Sequence, residues 1–179
     1  AATVREMEPS LAPSVAGAAW LRDDLACENR ALLFALLRAA RNRGVTIHSD
    51  LPVSIRVENG RVRGVLAGER RIDAELVVNA AGAWASAIAE LPGHPTLRPA
   101  RGQMLGFRSE TPDALRHVVH WDGGYAVPRS AGRVVVGSTV EPEAGFTKGV
   151  TPQAVERLTA ELGAALPGLA VERRHAWSG

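Results

Sequence analysis

The chain has 179 residues, of which 46% are hydrophobic and 22% charged, and its formal net charge is +2. A chain of this length and apolar content folds around a core and is not disordered. Its arginines are interleaved with Glu and Asp, and only 4% of the residues are aromatic, so we expect no nucleic-acid-binding surface. The longest apolar run, residues 31–37, is too short to span a membrane.

Cys27 is the only cysteine. No disulfide can therefore form within the chain, which suits a reducing compartment, and we expect a cytoplasmic protein. We expect the Cys27 side chain to be a small buried or half-buried group without a chemical role.

The first predicted elements are a lone strand, a helix and a second strand. Residues 16–21 form the lone strand candidate, which could belong to either half of the chain. Residues 28–43 have the periodicity of an amphipathic helix. The apolar stripe of this helix consists of Leu32, Leu33, Leu36, Leu37 and Ala40. Gly44 is placed to end the helix, and residues 45–47 predict a strand directly after it, as is typical of layered α/β domains.

A β-meander is predicted next. Apolar residues alternate over 53–57 and return over 62–66, and the Asn-Gly pair at 59–60 between them is the strongest hairpin turn signal in the chain. A second turn at 68–69 leads to a third strand around Ile72.

A buried strand followed by very small side chains comes after the meander. Residues 76–78 are continuously apolar, which predicts a strand buried on both faces in a parallel sheet. Residues 79–84 then read Asn-Ala-Ala-Gly-Ala-Trp, and helix-forming residues follow. Such a turn lets the backbone approach a bulky ligand, and a helix N-terminus beyond it attracts negative charge. A tight strand-to-helix turn without a ligand has the same pattern, so both interpretations stay open on the local sequence.

The second half of the chain predicts an antiparallel sheet with one helix. A linker comes first, indicated by Pro92, Gly93, Pro95 and Pro99. The predicted strands cover residues 103–107, 117–121, 125–128 and 133–139. The Thr-Pro pair at 151–152 predicts the start of a helix with an apolar stripe, which ends at the Pro-Gly pair at 167–168.

No catalytic constellation is visible among the motifs. The chain contains no GxGxxG or GxxxxGK[ST] phosphate loop and no GxSxG nucleophile elbow. His117 and His120 would face opposite sides of a strand, so they do not predict a shared metal site. Tyr125 follows two glycines at a strand start, where a phenol either presents its hydroxyl to a carboxylate in a cleft or serves as an amphipathic rim residue.

Taken in order, short segments along the whole chain resemble one family, the flavin-dependent D-amino-acid oxidases, and within it the glycine oxidases of thiamine biosynthesis. The segments that carry the resemblance include Glu-Pro-Ser-Leu at 8–11, Val-Val-Asn-Ala-Ala-Gly-Ala-Trp at 77–84, Pro-Ala-Arg-Gly-Gln at 99–103, Tyr-Ala-Val-Pro-Arg at 125–129, Gly-Arg-Val-Val-Val-Gly-Ser-Thr at 132–139 and Trp-Ser-Gly at 177–179. Their order and spacing are specific to the family.

The resemblance implies a fold class of α/β, or α+β overall: part of an FAD-binding Rossmann-like domain with a β-meander, together with an antiparallel-sheet substrate domain. Residues 26–93 match the FAD-binding part and residues 94–179 the substrate-binding part, while residues 1–25 are a candidate segment of the substrate domain. In the family a GxGxxG fingerprint precedes the matched region, and an arginine that holds the substrate carboxylate follows it. The resemblance therefore implies a central fragment that is inactive by itself.

FAD is the implied cofactor. By the resemblance, the backbone of Val53 lies beside the adenine, and Ala81, Gly82 and Trp84 match the turn near the flavin nucleotide. No catalytic acid or base is implied within the chain, because the cofactor carries the difficult chemistry and the protein supplies orientation.

The implied substrate-binding residues are two. Tyr125 matches a tyrosine that helps to bind the substrate carboxylate, and Val140 matches a pocket-wall position that is methionine in a glycine oxidase. This departure leaves the exact amine open.

The resemblance thus implies oxidative deamination of glycine or a small amino acid or amine in thiamine biosynthesis, with hydride transfer to flavin and oxygen as the acceptor, giving hydrogen peroxide. A D-amino-acid dehydrogenase, a sarcosine oxidase-like enzyme and a non-catalytic α/β binding module remain the alternatives. Homo-oligomerisation stays open.

Overall fold

The computed structural model describes residues 2–88 and 96–179 and shows a mixed α/β fold with antiparallel sheets. Two compact units are present: Arg30–Pro99 is one, and Ala1–Asn29 together with Ala100–Gly179 is the other. The predicted linker residues Pro92, Gly93 and Pro95 lie outside the described residues.

The helices of the described residues are α1 (Ala2–Met7), α2 (Asn29–Asn42), α3 (Ala85–Ile88) and α4 (Pro152–Ala165). The strands are β1 (Val53–Glu58), β2 (Arg61–Ala67), β3 (Arg70–Asp73), β4 (Gln103–Arg108), β5 (Val119–Trp121), β6 (Gly124–Arg129), β7 (Arg133–Gly137) and β8 (Glu172–Ser178). Two short 3-10 helices, Gly82–Trp84 and Pro142–Ala144, complete the regular structure.

Helix α2 confirms the predicted helix and the way it ends. Gly44 has a φ of +81°, and its N–H donates to the carbonyl of Arg41 at 2.9 Å. The N–H of Val45 donates to the carbonyl of Ala40 at 3.1 Å. This pair of hydrogen bonds is a Schellman motif, which needs a residue in the left-handed region and therefore favours glycine.

The predicted meander is confirmed as the antiparallel sheet β1-β2-β3. Asn59 and Gly60, with φ of +53° and +73°, form the turn between β1 and β2. Positive φ at both central residues is the signature of a type I′ turn, whose twist matches that of the flanking strands. Gly68, with φ of +60°, begins the second turn.

Three predicted strands are wrong. Residues 16–21, 45–47 and 76–78 are not strands in the structure. Leu76, expected to be buried on both faces, is 80% exposed. A strand is stabilised by hydrogen bonds to a neighbouring strand, and within the described residues no strand pairs with these segments. The predicted parallel sheet is accordingly absent from that part of the chain.

The apolar stripe of α2 is also not covered as predicted. No residue of α2 is buried among the described residues, and Leu32, Leu33 and Leu36 are exposed. The helical periodicity identified the element correctly, but periodicity does not reveal whether a packing partner is present.

The second unit is built on a five-stranded antiparallel sheet with strand order β5-β6-β7-β4-β8. One cross-strand row of residues is fully apolar and joins the core cluster: Val119, Ala126, Val136, Leu105 and Ala176. Helix α4 contributes Leu158 and Leu162 to the same core. Burial of this face against α4 stabilises the unit, since burial of apolar surface drives folding.

Four of the strands in this sheet were predicted. Strand β7 ends at Gly137 rather than at residue 139, and β5 is also shorter than expected. It begins at Val119 rather than at residue 117, because the N–H groups of Arg116 and His117 donate to a carboxylate oxygen of buried Glu8, each at 3.0 Å. The same contacts anchor the segment that follows α1, a helix that the sequence pattern did not indicate.

Strand β8 was missed for a different reason. Its sequence, Glu-Arg-Arg-His-Ala-Trp-Ser, lacks the apolar alternation that marks a half-buried strand. Pairing with β4 nevertheless places Ala176 beside Leu105 in the core. The strand is therefore specified by its neighbour more than by its own composition.

Candidate functional site

The small-residue turn at residues 79–84 is held by the side chain of Asn79. Its amide Nδ2 donates to the carbonyl of Ala85 at 2.9 Å, and its Oδ1 accepts from the N–H of Ala81 at 3.3 Å. A side chain that bonds to nearby backbone at two points holds a turn through local contacts. The backbone of Ala81 and Gly82 is therefore held in a defined conformation.

This turn is open. Gly82 has a φ of +56°, and a Cβ built on it would meet no atom of residues 2–88 and 96–179 within 4 Å. Ala80 is exposed as well. A glycine with a positive φ, flanked by alanines, leaves the main chain accessible to a large ligand. This fits the close approach that a dinucleotide such as FAD requires.

The four predicted cofactor-binding residues all lie in the Arg30–Pro99 unit. Ala81, Gly82 and Trp84 share the turn, and Trp84 is exposed. Val53 begins β1, where it pairs with Ala67. Helix α3, which follows the turn, lies next to β1.

Tyr125 lies on the sheet face opposite to α4. Side chains alternate between the two faces of a strand, and its neighbour Ala126 belongs to the core row. Tyr125 pairs with His120 on β5 and with Gly137 on β7. The rings of His120 and Tyr125 are 5.8 Å apart between centroids.

The ring of Tyr125 lies across Gly137. A Cβ built on Gly137 would be 2.6 Å from the Tyr125 hydroxyl oxygen and 3.1 Å from Cγ of Met104. Met104 pairs in turn with Trp177 on β8. The absence of a side chain at Gly137 is thus what lets the phenol lie along the sheet, half-buried, with its hydroxyl on the face away from the core.

Val140 follows β7 and is 75% exposed. Its neighbour Glu141 pairs with Arg101 in an isolated antiparallel bridge. The two residues of a bridged pair point to the same face of a sheet, and the residue next to each of them along the chain points to the opposite face. Arg101 is four residues before core residue Leu105 in an extended segment, so Val140 faces the same side as Met104 and Tyr125.

A polar cluster that the sequence analysis did not single out lies beside Val140. We call it the Glu141 cluster, and it consists of Arg101, Gln103, Thr139, Glu141 and Thr151. One oxygen of the Glu141 carboxylate accepts from Nε and Nη2 of Arg101 at 3.0 and 2.5 Å. The other accepts from Nε2 of Gln103 at 2.7 Å and from the Thr139 hydroxyl at 2.5 Å.

These donors lower the pKa of Glu141 to about 2, with the Thr139 hydroxyl the largest cause, followed by Arg101 and Gln103. Hydrogen bonds to the ionised form favour it, so the carboxylate stays charged throughout the physiological range. No local motif marks this cluster, because Arg101 and Glu141 are 40 positions apart in the sequence. The bridge between Arg101, just before β4, and Glu141, after β7, brings them together.

Cys27 corrects a further expectation, since its thiol is exposed rather than buried. The segment around it is not part of a helix or strand. Its backbone carbonyl accepts a hydrogen bond from Nη1 of Arg129 at 2.7 Å, which holds the main chain at the surface.

A surface cavity of about 580 Å³ lies on the unit formed by Ala1–Asn29 and Ala100–Gly179. It is lined by residues such as Glu28, Arg116 and Arg129 and includes none of the predicted site residues. Residues 2–88 and 96–179 contain no group of three or more His, Cys, Asp or Glu side chains that could hold a metal ion. Within the same ranges, each helix is too short or too polar to cross a membrane.

The fold is that of a flavin-dependent oxidoreductase. The chain belongs to the FAD dependent oxidoreductase family, whose model matches residues 1–179. FAD is therefore the cofactor with which this family works, and the accessible backbone at Gly82 is compatible with it.

Within this family, the chain is similar to glycine oxidases and to ThiO/ThiG proteins. The chain is 31% identical over 179 residues to glycine oxidase from Bacillus licheniformis, covering 98% of this chain and 48% of that protein. It is 34% identical over 161 residues to the bifunctional protein ThiO/ThiG of Synechocystis, covering 87% of this chain and 24% of that protein. Among solved structures, glycine oxidase from Bacillus cereus superposes with a TM-score of 0.87 at 29% identity, covering 99% of this chain and 50% of that one.

An L-proline dehydrogenase from P. horikoshii superposes with a TM-score of 0.91 at 20% identity, which shows a shared fold alone. The chain spans about half the length of the glycine oxidases that it matches and about a quarter of the ThiO/ThiG protein.

Proposed function

We propose that the full-length protein containing this chain oxidises glycine or another small amino acid or amine with FAD. The observation that carries the proposal is the family match over all 179 residues, together with the glycine oxidases among the relatives. When bound, FAD supplies the acceptor for a hydride from the substrate α-carbon. The product is an imine, and oxygen is the proposed final acceptor, which leaves as hydrogen peroxide.

The roles proposed for the chain's own residues are binding and orientation. Val53, Ala81, Gly82 and Trp84 are assigned to FAD, supported by the open, side-chain-poor turn and by the position of β1 next to α3. On this assignment, residues 26–93 belong to the cofactor domain and residues 94–179 to the substrate domain.

Tyr125 and Val140 are assigned to the substrate. The phenol can donate a hydrogen bond to the substrate carboxylate, and holding a reactant in one orientation accounts for a large part of catalytic rate. The support is geometric: Tyr125 and Val140 lie on the sheet face that α4 does not cover.

The physiological setting is also a proposal. A role in thiamine biosynthesis is supported by the likeness to ThiO/ThiG proteins. A cytoplasmic location is supported by the single, free cysteine, which suits a reducing compartment. We further propose that residues 1–179 alone show no turnover, because they span about half of a glycine oxidase.

The full-length protein tests the proposal directly. We expect a yellow preparation with flavin absorption, and peroxide release with glycine at a higher kcat/KM than with sarcosine or D-alanine. A colourless protein that cannot be loaded with FAD would favour the binding module instead. Turnover of the other amines without glycine turnover would favour a sarcosine oxidase-like enzyme, and dye reduction without peroxide would favour a dehydrogenase.

A further inference from the structure

The Glu141 cluster connects three parts of the fold at one point. Gln103 begins β4 and is almost fully buried. Its Oε1 accepts from the backbone N–H of Thr151, the N-cap of α4, at 2.7 Å. Its own backbone N–H donates to the Thr139 hydroxyl at 2.9 Å. The cluster thus ties the start of β4 to the end of β7 and to the first turn of α4.

Val140 is held between two members of this cluster. Thr139 precedes it and bonds to Gln103 through both its hydroxyl and its backbone N–H. Glu141 follows it and bonds to Arg101 through side chain and through two backbone hydrogen bonds of 3.1 and 2.9 Å. The backbone on both sides of Val140 is therefore fixed, while its side chain remains largely exposed.

The end of β8 is fixed by the same segment. Gly102, between Arg101 and Gln103, exchanges two backbone hydrogen bonds with Gly179 at 2.8 and 2.9 Å. A shift of residues 101–103 would therefore move the end of β8 and the Val140 backbone together. Interlocked hydrogen bonds of this kind act as a unit, so loss of one partner disturbs the others.

We propose that the Glu141 cluster positions Val140 and thereby sets the size of the amine that the active site accepts. This inference rests on the proposed function. The members of the cluster are positioning residues, because they act through Val140 and do not contact the substrate themselves. The charge of the carboxylate matters because charge-assisted hydrogen bonds are about twice as strong as neutral ones.

The test compares two isosteric substitutions in the FAD-loaded full-length protein. Glu141→Gln removes the charge from the cluster, and Glu143→Gln makes the same chemical change at an exposed position of the same segment. For each variant, kcat and KM are measured with glycine and with the larger D-alanine. We expect Glu141→Gln to change the ratio of the two kcat/KM values about tenfold, mainly through KM, and Glu143→Gln to change it less than about twofold.

A double-mutant cycle separates this role from general destabilisation. In a Val140→Ala background, Glu141→Gln is expected to change the substrate ratio less than about twofold, because the side chain through which it acts has been shortened. Should Glu141→Gln not fold, Arg101→Lys replaces it, since lysine keeps the positive charge but cannot donate from both Nε and Nη2 to the same carboxylate oxygen.

The outcomes distinguish the two proposals. An FAD-loaded Glu141→Gln variant with an unchanged substrate ratio, or with the same change in both backgrounds, overturns the positioning role and leaves the proposed function standing. A wild-type protein that oxidises none of the amines overturns the proposed function, and the positioning role with it.

Discussion

Tyr125 and Gly137 are cross-strand neighbours, and the tyrosine ring fits over Gly137 because glycine has no side chain. The phenol leaves no room for a Cβ on Gly137, because its hydroxyl oxygen is only 2.6 Å from the position that such a Cβ would take. Heavy atoms in ordinary van der Waals contact stay about 3.5–4.0 Å apart. Any other residue at position 137 therefore has to displace the tyrosine ring, which is the end of a side chain and can rotate.

We predict that Gly137→Ala displaces Tyr125 and weakens substrate binding without unfolding the protein. In the full-length enzyme this gives a KM for the amino acid raised by about tenfold, while flavin absorption and FAD content stay at wild-type levels. Steady-state kinetics on the FAD-loaded variant measure it.

The matched control is Gly163→Ala in α4, where an added Cβ meets no atom of the described part of the chain within 4 Å. This substitution is expected to leave KM unchanged and to stabilise the protein by about 1 kcal/mol, because alanine favours the helix interior. Equal KM values for Gly137→Ala and the wild type would contradict the assigned role of Tyr125.

Of these two residues, only Tyr125 was predicted from the sequence as a site residue. Tyr125 was singled out because it is the only tyrosine and follows two glycines at a strand start. Gly137 belongs to a segment that carries the family resemblance, but its contact with Tyr125 could not be predicted. The contact joins β6 to β7, and the pairing register of two strands is not visible in the sequence. The Glu141 cluster was missed for the same reason.

At the scale of single elements, α4 shows how one side chain begins a helix. The Thr151 hydroxyl accepts a hydrogen bond from the N–H of Ala154 at 3.2 Å, and Pro152 occupies the first helical position. Both features were predicted from the Thr-Pro pair. Proline suits this position because its missing N–H would have had no partner within the helix.

We predict that Thr151→Ala destabilises the full-length protein by about 0.5–2 kcal/mol, mainly through loss of the cap, because the other contacts of its hydroxyl, with the Gln103 side chain, are long at 3.3 and 3.5 Å. The measurement is the midpoint of thermal unfolding, together with amide hydrogen exchange in the first turn of α4. Thr159→Ala is the control, because the exposed Thr159 hydroxyl donates to the carbonyl of Val155 within the same helix and does not cap it. Equal losses in the two variants would argue against the cap.

Element prediction succeeded where the signal is local and failed where it is not. The Asn59-Gly60 turn and Gly44 at the end of α2 were found because their backbone angles favour particular residues. Residues 76–78 were misassigned because an apolar run does not show whether a pairing strand is present. Strand β8 was missed because its pairing with β4 outweighs its charged composition.

At the scale of the whole molecule, the charge on Glu141 makes stability depend on pH. Its pKa is lowered to about 2 in the folded protein, against an ordinary value of 4.5. A carboxyl whose folded pKa is depressed contributes stability above its unfolded pKa, and the contribution is lost as the pH falls through the folded pKa.

We therefore predict that the unfolding temperature of the wild type falls between pH 4.5 and about 2 more steeply than that of Glu141→Gln. Thermal unfolding at a series of pH values measures this, with Glu143→Gln as the control for removal of one carboxyl. Parallel curves for the wild type and Glu141→Gln would show that the ionised Glu141 does not contribute.

The fold class and the cofactor were predictable at this scale, but from ordered short segments and not from one motif. The segments at residues 77–84, 125–129 and 132–139 are each weak signals when taken alone. The family match over residues 1–179 confirms the family that their order indicates. The residues around the ligand are less predictable from such segments, because contacts such as that between Arg101 and Glu141 join positions far apart in the sequence.

The contact between Tyr125 and Gly137 also constrains how this protein lineage can change over time. A mutation that gives position 137 a side chain is tolerated only where position 125 has already lost its large ring, or where the ring has found another place to lie. Related sequences should therefore change the two sites together or keep both, and a descendant with alanine at 137 and an unmoved tyrosine at 125 should not be found.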